Sequence, residues 1–180
     1  DKGWIPDEVR LITTEHGRQN AVLQLLEGEK YFERLLADYQ INQTVQFNQR
    51  SITVIKDANG HALADLRSPQ DNEAAANTIC AEIRELTSDP GTALHVSLAG
   101  GRKTMGFYAG YALSLFGRPQ DCLSHVLVSE HYESHQSFFY PTQYTRVIHS
   151  RDGRVLDTSA ARVWLAEIPF VRLRNRLPEP

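Results

Sequence analysis

The chain has 180 residues, of which 41% are apolar and 23% are charged, and its formal net charge is -3. This composition is typical of a soluble globular domain, and the length suits one well-buried core better than two. The net charge argues against a protein that wraps duplex DNA, because such proteins need many cations to neutralise phosphates. It leaves room for a small anionic ligand that is held by a local cluster of positive charge.

The sequence shows no apolar run long enough to cross a membrane, and no signal peptide is visible. Its two cysteines, Cys80 and Cys122, lack the spacing of a zinc site, and we expect both to be reduced thiols. Three arginines near the end, Arg172, Arg174 and Arg176, form a basic tail that we expect to be solvated. We therefore predict a cytoplasmic protein that does not associate with membranes.

Apolar and β-branched runs predict the strands. The predicted strands are residues 8–14, 51–56, 94–98, 124–129 and 168–173. Two Gly-containing dipeptides, Asn59-Gly60 and Asp152-Gly153, predict hairpins. Hairpins are unusual for a purely parallel sheet, so we expect them to be additions to it.

Helical periodicity predicts three helical regions. They cover residues 17–39 with a break at Gly28, residues 69–87, and a run that follows the glycine turn at 100–101 and ends at Phe116. The second has a strong start signal, with Ser68 as the cap and Pro69 in the first helical position. The third is apolar almost all round, so it needs cover on two sides, one from the sheet and the other from a second copy or from core packing.

The most informative stretch is HVSLAGGRKTMG at residues 95–106. Gly100 and Gly101 lack a Cβ, so a ligand can approach the backbone closely. Arg102 and Lys103 add positive charge, Thr104 adds a hydroxyl, and the first N–H groups of a helix favour an anion. We interpret this turn as a phosphate-binding corner; the alternative is a tight turn whose cations are solvated. A Walker A loop needs glycine before the lysine, and the dinucleotide fingerprint needs a third glycine, so neither motif fits.

Polar residues lie at the ends of two other predicted strands. Thr13 and Thr14 end the first of them, and Glu130 and His131 follow the strand at 124–129. In an open α/β sheet the carboxyl ends of parallel strands line the ligand crevice. These side chains therefore either face the glycine turn or lie in solvated loops. His131 and His135 have helical i, i+4 spacing, but no third metal ligand is evident, so we predict no metal.

Four stretches taken together resemble one known family. They are LITTE at 11–15, RSPQDNEAAA at 67–76, GGRKTMG at 100–106 after HVSLA, and SHVLVSE at 124–130. In these stretches the chain resembles the CRISPR-associated Rossmann-fold (CARF) proteins of type III systems, in particular a compact subfamily described as Csm-type ring nucleases. The resemblance covers residues 9–174.

The resemblance implies a single CARF-like α/β domain over residues 1–180, without the usual first strand of the family. Its fold would be a Rossmann-like three-layer sandwich with a mostly parallel central sheet and added β-hairpins. Its function would be to bind cyclic oligoadenylate, the second messenger of type III CRISPR immunity, as a homodimer. It would cleave this ring without a metal or other cofactor; the alternative is a non-catalytic sensor that acts through a partner or an effector domain.

Matched residue by residue, the basic-then-hydroxyl turn of the family falls on residues 102–104. Arg102 and Lys103 are the expected catalytic residues, because they would stabilise the charge that develops when a ribose 2′-OH attacks the adjacent phosphate. The products would be linear and would end in 2′,3′-cyclic phosphates. The expected ligand contacts are Thr13, Thr14, Gly100, Gly101, Thr104 and Glu130.

Overall fold

The computed structural model describes residues 4–133 and 135–174 of the chain. These residues form two compact units. The first unit takes the chain up to Thr53 together with Leu127–Trp164, and the second takes Val54–Val126 together with the residues from Leu165 onward. Among the described residues, none of the helices combines the length and the apolar character that crossing a bilayer requires.

The protein is of the mixed α/β class. The α-helices of the described residues are α1 Glu15–Ala21, α2 Tyr31–Asp38, α3 Pro69–Leu86 and α4 Lys103–Phe116. The strands are β1 Leu11–Thr13, β2 Ile52–Val54, β3 His95–Ser97, β4 Cys122–Val128, β5 Val147–His149, β6 Val155–Asp157 and β7 Val163–Glu167. Strand β1 pairs with β2, β5 pairs with β6, and β3, β4 and β7 form a three-stranded sheet in that order.

The first helical region is interrupted at Gly28, as predicted. After α1 the chain continues through a π-helical segment, Val22–Glu27, and α2 begins only at Tyr31. The Gly28 N–H donates to the Leu23 carbonyl at 3.0 Å. A Cβ on Gly28 would lie only 2.4 Å from the same carbonyl oxygen, so this close approach requires glycine.

Both predicted hairpins are confirmed. Strands β5 and β6 pair antiparallel, and Gly153 between them has a φ of +82°. In the other, an antiparallel bridge joins Lys56 to Ala62, and Gly60 has a φ of +84°. Such positive φ angles are why the turns need glycine.

Helix α3 begins with the predicted capping arrangement. The Ser68 hydroxyl accepts from the Asp71 N–H at 3.0 Å, and the Asp71 carboxylate accepts from the Ser68 N–H at 2.9 Å. Helix α3 packs against α4, and together they bury an apolar layer of the second unit. The buried residues of the two helices are Ala75, Ile79, Ile83, Ala112 and Leu113.

Helix α4 is not covered all round within the described residues. Phe107 and Tyr111 lie one turn apart on its surface, where they are 68% and 53% exposed. Their rings stack with centroids 6.1 Å apart and planes at 12°. The aromatic side of α4 therefore faces away from the layer that it shares with α3.

Strands β3 and β4 are parallel neighbours, joined through α4. This βαβ unit confirms the predicted order of strand, glycine turn, helix and strand, and the register pairs His95 with Cys122 and Ser97 with Ser124. It places the turn after residue 98 at the carboxyl end of a parallel strand, where ligand sites of α/β proteins occur.

The predicted last strand at 168–173 is wrong. The strand is β7, which ends at Glu167, and the next residue, Ile168, donates its N–H to the Leu123 carbonyl at 2.8 Å. Pro169 follows, and it has no N–H with which to continue the ladder. The chain then leaves the sheet, and the Leu173 N–H donates to the Ser114 carbonyl at 2.8 Å.

The arginines of the basic tail that the structure describes are exposed, as expected, and they also form specific hydrogen bonds. Arg172 donates to the Asp121 carbonyl at 2.7 Å, and Arg174 donates to the Thr87 carbonyl at 2.8 Å. The guanidinium groups therefore satisfy carbonyls at the ends of loops and helices. Arg176 lies outside the described residues.

The first unit has a small core of its own. Tyr132 lies in it, and its hydroxyl donates to the Asp157 carbonyl at 2.7 Å. Phe138 packs against Tyr132 with ring centroids 5.1 Å apart, so the loop that carries Phe138 is packed against this core. The buried and partly buried members of this core are Val128, Tyr132, Phe138, Ile148, Leu156 and Ala161.

Candidate ligand-binding turn

The turn between β3 and α4 has the backbone geometry that its two glycines allow. Gly100 has a φ of +87° and Gly101 a φ of +71°, both in the left-handed region that residues with a Cβ rarely adopt. A Cβ on Gly100 would meet nothing within 4 Å, whereas one on Gly101 would lie 3.2 Å from the Met105 Sδ. The backbone at Gly100 is therefore open to an approaching ligand.

Helix α4 starts directly after this turn. Arg102 is its N-cap residue, and no side chain in the described part of the chain caps the helix. Arg102, Lys103 and Thr104 are all exposed. The turn thus presents the uncapped amino end of a helix together with two cations and a hydroxyl, an arrangement that attracts an anion.

Arg102 is held by an acid that sequence reasoning missed. Its Nη2 atom lies 2.7 Å from the Asp65 Oδ2. Asp65 also accepts from the Arg67 Nε at 3.3 Å and from the Leu66 N–H at 2.8 Å. The hydrogen bond from the Leu66 N–H, followed by those from Arg102 and Arg67, lowers the pKa of Asp65. Asp65 and Arg102 are 37 positions apart in the sequence, so no local pattern indicates this pair.

Lys103 differs from its neighbour. Within residues 4–133 and 135–174, no carboxylate forms an ion pair with its ammonium group. An anion that reaches the turn would therefore meet Lys103 as an available cation, whereas Arg102 would have to exchange Asp65 for the ligand.

The base of the turn is fixed to the neighbouring strand. The His95 Nε2 lies 2.6 Å from the hydroxyl of Ser124, which is fully buried. The Leu98 N–H donates to the Ser124 carbonyl at 2.8 Å, just before the glycines. His95 is thus a hydrogen-bonded sheet residue, and β3 holds the turn on a rigid support.

A buried ion pair anchors the other end of the same two strands. Both oxygens of the Asp121 carboxylate accept from the Arg118 guanidinium, at 2.9 and 2.8 Å, and one also accepts from the Leu94 N–H at 2.8 Å. Burial of Asp121 opposes its charge, but the bonds from Arg118 and Leu94 outweigh it and lower the pKa. The sequence gives no signal for this cluster, because Leu94 meets Asp121 only in the fold.

The two predicted threonines lie in the first unit, against the start of α1. The Thr14 hydroxyl accepts from the Gly17 N–H at 3.4 Å and so caps this helix. The Thr13 hydroxyl is packed so closely over Gly17 that a Cβ there would lie 1.9 Å from it. Beside them, Glu15 binds Arg18 at 2.7 Å, and hydrogen bonds from Arg18 and Gln19 lower the pKa of Glu15 to about 2.

Glu130 also lies in the first unit, exposed in the turn that follows β4. The two histidines near it have separate partners. The Arg154 Nη1 lies 2.9 Å from the His131 Nε2, and the His135 Nε2 lies 3.2 Å from the His149 carbonyl oxygen. Over the ranges that the structure describes, no three His, Cys, Asp or Glu side chains are grouped so that they could hold a metal ion.

Comparison with known proteins gives a match over the whole chain. A family model described as CRISPR-associated protein NE0113 matches residues 1–180. No curated protein matches the chain.

Proposed function

Because the chain belongs to the family of CRISPR-associated protein NE0113 and so has a role in CRISPR defence, we propose that it binds cyclic oligoadenylate and cleaves it. The family confirms the CRISPR-associated part of the resemblance. The CARF-type assignment, the Rossmann-like three-layer arrangement and the homodimer are parts of the proposal.

The observation that carries the proposal is the open, cationic turn at residues 100–104. Two glycines in the left-handed region and an uncapped helix start suit the phosphate of a nucleic-acid ligand. Lys103, which has no ion-pair partner among the described residues, adds a cation to them. A ring with rotational symmetry suits a two-fold dimer, because each subunit would offer the same turn to it.

The proposed reaction needs only the ring and positioned charges. The ribose 2′-oxygen attacks the adjacent phosphorus, the bond from phosphorus to the 5′-oxygen breaks, and the leaving oxygen takes a proton while the 2′-OH loses one. Lys103, and Arg102 once released from Asp65, would stabilise the negative charge on the phosphate oxygens in the transition state. Gly100, Gly101 and Thr104 would position the phosphate.

The three predicted contacts of the first unit are separate parts of the proposal. Thr13 and Thr14 are engaged at the start of α1, but a hydroxyl that accepts a hydrogen bond can still donate one. The Glu130 carboxylate would accept from a ribose hydroxyl or from the amino group of an adenine. The single variants Thr13→Val, Thr14→Val and Glu130→Gln test these contacts independently of the glycine turn.

The second candidate is a sensor that binds the ring without cleaving it. The ion pair between Arg102 and Asp65 favours it, since one of the two proposed charge stabilisers is already neutralised. A sensor needs only the affinity that Lys103 and the helix start can supply.

A chromatographic time course separates these functions. The protein is incubated in excess with cyclic tetra-adenylate or hexa-adenylate and EDTA. Linear fragments would support cleavage, whereas intact rings that co-elute with the protein would support the sensor. Rings that neither bind nor break would contradict both.

A pair of lysine variants links the result to the turn. Lys103→Ala should weaken ring binding or slow cleavage by about tenfold or more, because a hydrogen bond to a charged group is lost. Lys56→Ala, at an exposed position of the same unit, is the control and should leave both unchanged. Unchanged binding and turnover in Lys103→Ala would remove this residue from the mechanism.

A further inference from the structure

The first unit contains an open cleft of about 610 Å³, a volume within the range of small-molecule sites. None of its lining residues is used by the proposed function. Aromatic, amide and cationic side chains line it, with the Glu29 carboxylate also present. The lining residues used below are Gln24, Tyr31, Gln136, Phe139 and Arg146.

The aromatic part of the lining is one stacked pair. The rings of Tyr31 and Phe139 have centroids 3.8 Å apart and planes at 13°. Tyr31 is buried, with 6% of its surface exposed, so its ring is a fixed part of the wall. Phe139 is only partly buried, so its ring, supported by Tyr31, can pack against another aromatic ring system.

The cationic part of the lining is Arg146. Its Nη2 donates to the Tyr31 hydroxyl at 2.7 Å, and its Cζ lies 5.1 Å from the Tyr31 ring centroid. These contacts fix the guanidinium at the wall while leaving N–H donors of its planar fork for another acceptor.

The charge of Arg146 is not compensated. In the part of the chain that the structure describes, no carboxylate forms an ion pair with it. The contrast is with Arg34, which also approaches the Tyr31 ring, at 5.4 Å, but pairs with Glu29 at 3.5 Å. A half-buried, oriented and uncompensated guanidinium is suited to a carboxylate or phosphate ligand.

We infer that this cleft binds a ligand that joins a planar aromatic base to one phosphate, that is, a nucleoside monophosphate. The phosphate binds the free donors of Arg146, and the base packs against the partly exposed ring of Phe139. The amides of Gln24 and Gln136 offer donors and acceptors to the edge of the base. The inference goes beyond the proposed function and does not rest on it. It concerns another set of residues and a single nucleotide, not a cyclic oligonucleotide.

Calorimetric titration of the full chain with adenosine 5′-monophosphate (AMP) tests the inference. AMP should bind at least about tenfold more tightly than adenosine or inorganic phosphate, because each of these offers only one half of the recognised groups. Arg146→Gln should weaken AMP binding by about tenfold or more. The control is Arg154→Gln, which removes an exposed guanidinium of the same unit outside the cleft lining and should leave AMP binding unchanged.

Two further variants keep the test decisive if Arg146→Gln fails to fold, which far-UV circular dichroism would show. Tyr31→Phe keeps the stacked ring but removes the hydroxyl that orients Arg146, and Arg146→Lys keeps the charge but not the planar fork. Both should weaken AMP binding. Absence of AMP binding, equal binding of phosphate alone, or normal AMP binding by folded Arg146 variants would overturn the inference, whatever the outcome of the ring-cleavage assay.

Discussion

Arg102 and Asp65 form an ion pair of 2.7 Å at the mouth of the glycine turn. The Arg102 side chain is 57% exposed, so water solvates the ion pair and little free energy is needed to separate it. An anion at the turn would compete with Asp65 for the same guanidinium. Asp65 therefore sets how much of the positive charge of this turn is available to a ligand.

Replacing Asp65 by Asn should tighten the binding of cyclic tetra-adenylate. Because an exposed ion pair contributes little free energy, the gain should be small, about two- to fivefold. Calorimetric titration at low salt measures it. Glu85→Gln makes the same change in net charge on an exposed part of α3 and should have no effect. Weaker binding in Asp65→Asn would show instead that Asp65 positions Arg102 for the ligand.

Replacing Gly101 by Ala should destabilise the protein by about 1–2 kcal/mol, because the residue must keep a φ in the left-handed region. The new Cβ would also press on Met105. Urea unfolding followed by circular dichroism measures the change. Gly106→Ala is the matched control inside α4, where the nearest atom is 3.9 Å away; it should stabilise by up to about 1 kcal/mol. Equal effects of both variants would contradict the strain argument.

Replacing Asp121 by Ala should lower the free energy of unfolding by about 3–5 kcal/mol, because it leaves the buried Arg118 without its counter-charge. Urea unfolding at neutral pH measures the loss. Asp152→Ala removes an exposed partner of Arg154 and should change the free energy of unfolding far less. The double variant Arg118→Met/Asp121→Leu should be more stable than Asp121→Ala. If it is not, the cost does not come from the unpaired charge.

Glu15 should make the stability of the protein depend on pH in the acid range. Its pKa falls from 4.5 to about 2 in the folded chain, so its contribution is complete above pH 4.5 and is lost as the pH falls toward 2. Glu15→Gln should therefore be less stable than the wild type at about pH 6, and the difference should shrink by about pH 3. Urea unfolding at both values tests this, with Glu130→Gln as an exposed control. A difference that does not change with pH would contradict the assignment.

The sequence by itself determined the elements whose causes are local. The start of α3 was predictable because Ser68, Pro69 and Asp71 are close in the chain, and the hairpins were predictable because Gly60 and Gly153 are needed for positive φ. The glycine turn between β3 and α4 followed from the same kind of reasoning. The family match confirms that four short stretches were enough to indicate a CRISPR-associated protein.

Tertiary structure alone decided which distant groups meet. Asp65 reaches Arg102, Arg172 reaches the Asp121 carbonyl, and Arg146 reaches Tyr31, across separations of 37, 51 and 115 residues. The last strand, β7, also ends before Pro169, because proline has no N–H to continue the sheet. Apolar residues continue after Pro169, so the apolar pattern alone did not show where the strand ends. Hydrogen bonds and ion pairs form wherever packing brings two groups within about 3 Å of each other. The number of residues between two groups does not predict this distance in the fold.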